Sequence, residues 1–286
     1  MGMKAALQTL CVFMHYSNSP FIAKYVMVYV EELSNYFDEV ILVTNERFID
    51  NDCFVHNQKV SLVLVKNEGY DLGMFYKVFQ KIDPDQYSEI ACINDSNILF
   101  KSLHGIFSWG RNQQFDFWGI IDSYEKPWFS KHQDNYHIQS HFIVFNQKAI
   151  AEVITFLGQV NIQSFLDEKD TIKLRRAVVN EWEIGLSQSL INRGLTCGAY
   201  IDSQLFSKLY LSGKPVNVGF KLYSELIKSG YPLIKKKIIL KKNRTDIFGF
   251  CQNWEKLIRQ YGKKDWEIEI LIEELNQIKR DLIEKV

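Results

Sequence analysis

Glu181 and Glu183 lie two residues apart in the segment Asn180 to Gly194, NEWEIGLSQSLINRG. On a helix they point about 200° apart, so one can face a cleft while the other meets water. A carboxylate near a helix start can deprotonate a hydroxyl held within hydrogen-bond reach, which makes Glu183 a candidate general base. The alternative is a helix whose acidic residues complement its own dipole.

Asp95 is the second candidate. In Ile90 to Phe100, IACINDSNILF, an apolar run stops at Asn94, Asp95, Ser96 and Asn97 and then resumes. One carboxylate at a strand end suits a hard cation bridging a diphosphate, because the phosphates supply the remaining oxygen ligands. The same residues also form ordinary turns.

A third segment, Lys66 to Lys77 (KNEGYDLGMFYK), joins a strand end, a glycine and an aspartate. Gly69 would let backbone approach a ligand closely, and a helix start receives negative charge or a hydroxyl. Asn67, Gly69 and Asp71 are its candidate ligand contacts. The alternative is a plain strand–turn–helix with Asp71 as N-cap.

In His137 to Phe145 (HIQSHFIVF), strand alternation puts His137, Gln139 and His141 on one face, where they could read a sugar or phosphate. A half-exposed edge strand is the competing assignment. The preceding loop adds Trp128, Phe129, Lys131 and His132, a mixture that suits stacking on sugar or base faces.

These residues need elements to position them. Leu10–His15, Glu39–Thr44, Val60–Val65 and Ser88–Ile93 read as apolar strands, with helices opening at Pro20 and spanning Asp71–Ile82. Strands alternating with helices imply a parallel sheet covered on both faces, with ligands at the carboxyl ends of the strands. Those ends carry His15, Ser17/Asn18, Asn45/Glu46, Asn67/Glu68 and Asn94/Asp95. In the second half Phe115–Ile121, His137–Phe145 and Thr196–Ile201 read as strands. Ala149–Leu157 and Glu181–Asn192 read as helices, and a charged helical tail follows from Trp254.

Composition narrows the classes. The 286 residues are 47% hydrophobic, enough for one large core, and 34 Lys plus Arg balance 34 Asp plus Glu, which argues against a nucleic-acid partner. Cys11, Cys53, Cys92, Cys197 and Cys251 are dispersed without a C-x-x-C pair, as expected of thiols in a reducing compartment. The N-terminal stretch lacks a signal-peptide cleavage pattern, and no run approaches the ~20 apolar residues of a membrane span, so a cytoplasmic location is expected.

Taken in order, several segments resemble the rhamnan synthesis protein F family of bacterial polysaccharide glycosyltransferases. They are Asn67-Glu68-Gly69-Tyr70-Asp71-Leu72-Gly73, Ile93-Asn94-Asp95-Ser96, Phe117-Trp118-Gly119, the His137–Phe145 run, Trp182-Glu183-Ile184-Gly185-Leu186-Ser187 and Gly230-Tyr231-Pro232-Leu233-Ile234-Lys235. The resemblance spans roughly residues 10–240. It implies an α/β, GT-A (Rossmann-like) fold with a mainly parallel sheet. The nucleotide-sugar half would cover about 1–110 and the acceptor half about 111–250, with a C-terminal helical tail over 251–286.

The resemblance also implies a nucleotide-sugar donor, such as dTDP-rhamnose or a UDP-hexose, and an oligosaccharide or lipid-linked glycan acceptor. His15, Asn67, Gly69, Asp71, Asn94, Asp95 and Ser96 would bind the donor. Trp118, His137, Gln139 and His141 would bind the acceptor, and Glu183 would act as base in an inverting transfer. Asp95 falls where a D-x-D motif would hold Mg²⁺ or Mn²⁺. That motif is broken here, since Asn94-x-Ser96 and Asp95-x-Asn97 each lack a carboxylate. Basic side chains are the alternative neutralisers of the diphosphate.

Lys235, Lys236 and Lys237, with Lys241 and Lys242, form a basic run interleaved with Ile238, Ile239 and Leu240. It could rest on an anionic inner-membrane surface where a lipid-linked acceptor resides, or form a solvated face. Two rivals remain in play: a non-catalytic carbohydrate-binding or assembly module on the same fold, and a dehydrogenase- or flavodoxin-like protein. No G-x-G-x-x-G follows the first strand, which weighs against the second rival.

Overall fold

A computed structural model describes residues 6–17, 19–45, 53–211, 215–240 and 254–284. Asn18, Glu46, Lys241, Lys242 and Cys251 lie outside the described residues.

The first half builds β1 (Gln8–Met14), α1 (Lys24–Leu33), β2 (Glu39–Asn45), β3 (Val60–Val65), α2 (Tyr70–Phe79), β4 (Tyr87–Asn94), β5 (Asn97–Leu99) and α3 (His104–Asn112). The second half begins with β6 (Phe117–Ser123), β7 (His137–Ile138), β8 (Phe142–Asn146), α4 (Gln147–Gln159), α5 (Ile162–Asp167) and α6 (Thr171–Val178). A π-helical turn, Val179–Gly185, links α6 to α7 (Leu186–Asn192), followed by β9 (Cys197–Ile201) and α8 (Ser203–Tyr210). The chain ends in α9 (Val218–Lys221), α10 (Tyr223–Lys228), β10 (Leu233–Lys235), α11 (Lys236–Leu240), α12 (Trp254–Tyr261) and α13 (Ile268–Glu284).

The main sheet runs β3-β2-β1-β4-β8-β6-β7, with β9 on β6. β3, β2, β1 and β4 are parallel, and β6 is parallel to β9, as the alternating pattern predicts. β8 is antiparallel to both β4 and β6 and reverses the sheet there. Residues alternate across the sheet into two cores. Cys11 and Phe13 face a layer with Tyr29, Leu33 and Phe107, while Leu10, Val12 and Met14 face one with Phe75, Ile143 and Trp182. Burial on both faces is why these strands read as near-continuous apolar runs.

Several local expectations need correction. The first helix begins at Lys24, four residues after Pro20, because its cap is remote: Glu274 accepts hydrogen bonds from the backbone N–H of Lys24 (2.7 Å) and Tyr25 (3.2 Å). Asp71 is not the N-cap of α2, since Gly69 holds that position with φ 74° and no side chain caps the turn. His137–Phe145 is not one strand. A turn at Ser140 and His141 separates β7 from β8, so the alternation that grouped His137, Gln139 and His141 breaks. The helix around Glu183 starts at Thr171 and widens into a π turn where Asn180 O would lie 2.6 Å from a Cβ on Gly185.

The C-terminal region is helical, as expected, and packs into the sheet layer. Leu257, Ile258, Leu271, Ile272 and Leu275 are buried with Tyr25, Tyr29 and Phe100. No described helix is long and apolar enough to cross a membrane.

Candidate functional site

The carboxyl ends of β1 and β4 lie side by side, with Met14 in register with Asn94. Asp95 follows directly, its N–H donating to Met14 O at 3.1 Å. Its carboxylate is heavily engaged: Oδ2 accepts from Lys236 Nζ at 2.7 Å and from Tyr25 OH at 3.1 Å, and His15 Nε2 stands 3.8 Å away. Asp95 is 14% exposed, so this ion pair sits where water screens it only partly.

His15 is buried. Its Nδ1 contacts Thr44 Oγ1 at 3.1 Å, and burial holds its pKa below the usual range against the opposing pull of Asp95. His15 Nε2 and Asn97 Oδ1 are buried atoms with no hydrogen-bond partner among the described residues. Unpaired buried polar atoms are rare in native proteins; Tyr29 OH, Trp182 Nε1 and Asn217 Oδ1 are the others among the described residues. Burial, and after it the Asp95 charge, pushes the Tyr25 hydroxyl well above its ordinary pKa. Tyr25 therefore stays a neutral donor.

Asn94 bridges to the next element. Its Nδ2 donates to Asp71 Oδ2 at 2.6 Å and its Oδ1 accepts from Ser96 N at 3.0 Å. The Asp71 carboxyl is pushed up to about 7, first by burial and then by the charges of Asp95 and Glu183. Three of the expected acids thus share one electrostatic neighbourhood. Two glycines shape the turn before Asp71. Gly69 takes a left-handed φ, and a Cβ on Gly73 would fall 1.9 Å from Glu68 O. Asn67 is half-buried beside this turn.

Glu183 projects from the π turn, half-buried and without a hydrogen bond to any described residue. It is close enough to Asp71, His137 and Lys235 to shift their titration. Glu181, on the other face, lines a cavity of 560 Å³ with Lys131, His132, Gln159, Asn161 and Gln188. The loop residues Lys131 and His132 thus belong to that cavity. His132 Nε2 sits 2.7 Å from Asn180 O, one of the carbonyls that the wide turn leaves reachable.

The expected acceptor face is dispersed. Trp118 is 4% exposed and wedged between Phe107, Trp109 and Phe142, and its indole closes on Gly110, so it is a core residue without a face to offer a sugar. His141 is buried against Tyr231 OH at 3.3 Å, and burial with nearby Lys235 drives its pKa well down. His137 contacts Asn135 O through Nδ1 at 2.8 Å and is kept neutral chiefly by burial. Gln139 is buried too, accepting from Lys235 Nζ at 3.1 Å and donating to Asp122 O at 3.2 Å.

Lys235 and Lys236 depart from the basic surface run, whereas Lys237 is exposed and Lys241 and Lys242 lie outside the described residues. β10 pairs antiparallel with β5, placing Lys235 opposite Asn97, and Lys236 N donates to Ser96 O at 2.9 Å. Both ammonium groups therefore turn inward onto Gln139 and Asp95, and only Lys237 of the three is exposed. Tyr25 and Lys236 contact Asp95, and Asn97 and Lys235 pair across β5 and β10 beside it; sequence reasoning gave Tyr25 no role in the site and read the two lysines as a surface run. The one available signal was that Lys235 and Lys236 directly follow an apolar strand-like triplet, Pro232-Leu233-Ile234.

The described residues offer no cation cage of their own. Among the described residues, no three His, Cys, Asp or Glu side chains gather into a cation site, and the Asp95 oxygen that would serve is already neutralised by Lys236.

The virulence protein VirA of Vibrio anguillarum is 25% identical over 232 residues, covering 70% of this chain and 68% of VirA. Among solved structures, 4-diphosphocytidyl-2C-methyl-D-erythritol synthase from Anaerococcus prevotii is similar over 73% of this chain and 92% of its own, at 11% identity and TM-score 0.42. The glycosyltransferase GlyE of Streptococcus pneumoniae is similar over 95% of this chain and 63% of its own, at 10% identity and TM-score 0.40. The rhamnan synthesis protein F pattern matches residues 40–282, most of the chain, which therefore belongs to that family and with it to the glycosyltransferases of polysaccharide synthesis.

Proposed function

We propose that this protein transfers a hexose, rhamnose or a related sugar, from a nucleotide-sugar donor to a surface-polysaccharide or lipid-linked acceptor on a GT-A scaffold. The observation that carries it is the Asn94–Asp71 hydrogen bond at the carboxyl end of β4, with Asp95 next in sequence, Glu183 close enough to raise the Asp71 pKa, and His15 Nε2 and Asn97 Oδ1 unpartnered nearby. Ligands of open α/β sheets bind at such ends. Family membership supports the reaction class.

In the proposed reaction, Glu183 takes the proton of an acceptor hydroxyl. The hydroxyl oxygen bonds to the anomeric carbon, and the bond from that carbon to the diphosphate breaks with its electron pair. The nucleoside diphosphate leaves and the anomeric configuration inverts. Glu183 suits the base role because it is half-buried and unclaimed by any described hydrogen-bond donor, so its lone pairs can meet a substrate. Asp71, Asn94 and Ser96 form the rim in which the donor would lie. The amide-rich cavity behind Glu181 suits the hydroxyls of a longer acceptor.

A thermal-shift screen against dTDP-rhamnose, UDP-galactose, UDP-glucose and GDP-mannose tests this, since a ligand bound only by the native state raises the melting temperature. A shift with one donor, followed by release of its nucleoside diphosphate when glycan acceptor is added, is expected. No shift and no release with any of them would overturn the proposal.

A further inference from the structure

Lys236 is paired with Asp95, at the position where the broken D-x-D motif falls. A diphosphate that leaves with a growing negative charge needs a fixed positive charge beside it, and an ammonium supplies one as a cation would. At this site the positive charge is built in. Lys236 Nζ lies 2.7 Å from Asp95 Oδ2, and Tyr25 OH holds the same oxygen at 3.1 Å. The Lys236 ammonium also lies 5.0 Å from the Tyr25 ring centroid, over its face, so two separate contacts with Tyr25 orient the pair.

We propose that Lys236 neutralises the donor diphosphate in place of a divalent cation, with Asp95 and Tyr25 positioning its ammonium rather than binding metal. This rests on the nucleotide-sugar assignment made above. An ammonium carries three donors, so Lys236 can keep Asp95 and still give N–H groups to phosphate oxygens. Lys235, next in sequence and tied to Gln139, adds a second positive charge behind it. The small β5–β10 sheet anchors the backbone that carries both: Leu233, Ile234 and Lys235 pair with Leu99, Ile98 and Asn97, and Lys236 N donates to Ser96 O. Asp95 then acts as a counter-ion that keeps the ammonium in place until the diphosphate arrives.

Calorimetric titration of the full chain with UDP and with dTDP, once in EDTA and once with Mn²⁺, tests it. The preferred nucleotide should bind equally well, within about two-fold, in both buffers. Lys236→Gln should weaken it by about 10- to 100-fold, the loss of a charge-assisted contact, and Lys236→Arg should recover most of the affinity. Circular dichroism of each variant separates lost binding from lost folding. If Lys236→Gln does not fold, the EDTA comparison on the unaltered chain still decides. Binding that appears only with Mn²⁺, or a folded Lys236→Gln protein with unchanged affinity, overturns the lysine role and leaves the nucleotide-sugar assignment standing. Failure of both nucleotides in both buffers, with no shift from any donor sugar, removes the two together.

Discussion

Asn94 Nδ2 donates to Asp71 Oδ2 across 2.6 Å and ties the end of β4 to the first turn of α2. The Asp71 carboxyl is pushed up to about 7 by burial, Asp95 and Glu183, whereas an unfolded aspartate titrates near 4. Between those values the native state binds more protons than the unfolded state, so stability falls as pH rises from about 4 to about 7. The loss is of the order of 2–4 kcal/mol for a single site, shared here among coupled acids. Asp71→Asn keeps an acceptor for Asn94 and removes the charge. Its melting temperature relative to the unaltered chain should therefore rise from pH 5 to pH 8, by about 4 °C or more. An offset that is the same at both pH values would show that Asp71 titrates normally.

Glu274 in α13 caps α1 from 250 residues away, and α1 carries the Tyr25 that holds Asp95. Removing that cap should cost about 1–2 kcal/mol, so Glu274→Ala should melt about 3–6 °C lower. Glu274→Gln retains a carbonyl acceptor and should lose less. Scanning calorimetry of the two variants checks the order, and equal melting points would mean that the cap contributes nothing.

The same contact shows where the sequence was legible and where it was not. The parallel strands β1 to β4 announce themselves because burial on both faces demands uninterrupted Val, Ile and Leu, and the polar residues that stop them mark the site edge. Asn94 and Asp95 were read that way, whereas Asp71 and Glu183 were read from helix starts. The roles of Tyr25, Lys235, Lys236 and Glu274 were not legible, because they arise from pairings over 70 to 250 residues that local pattern does not encode. Trp118 misled for the opposite reason. A tryptophan in a strand reads equally as a sugar platform or as core, and the α3 helix covers it. The His137 run misled because a two-residue turn resets strand alternation without changing its apolar appearance.

Gly73 tests the turn that delivers Asp71. A Cβ there would sit 1.9 Å from Glu68 O and 3.1 Å from Leu166 Cδ2. Backbone cannot yield as a flexible side chain can, so Gly73→Ala must displace the Glu68–Gly69 turn despite its better helix propensity. The expected cost is about 1–3 kcal/mol, the range of an overpacked core. Urea denaturation would read it as a lower midpoint at unchanged slope. A stabilised variant would show that the turn tolerates the extra atom.

The base assignment separates two acids that the structure places near each other. Asp71 has the titration that a base at neutral pH favours, yet Oδ2 of its carboxylate is occupied by Asn94. Glu183 has no described hydrogen-bond donor on it and stands on a π turn, a feature frequent at functional sites. Glu183→Gln should therefore lower kcat by about 10²- to 10⁴-fold while donor affinity changes little, since only proton removal is lost. Asp71→Asn should act mainly on donor affinity and stability. Steady-state rates with matched nucleotide titrations distinguish them. A Glu183→Gln enzyme at full rate beside an inactive Asp71→Asn enzyme would move the base to Asp71, and retention of configuration in the product by NMR would exclude single displacement for either acid.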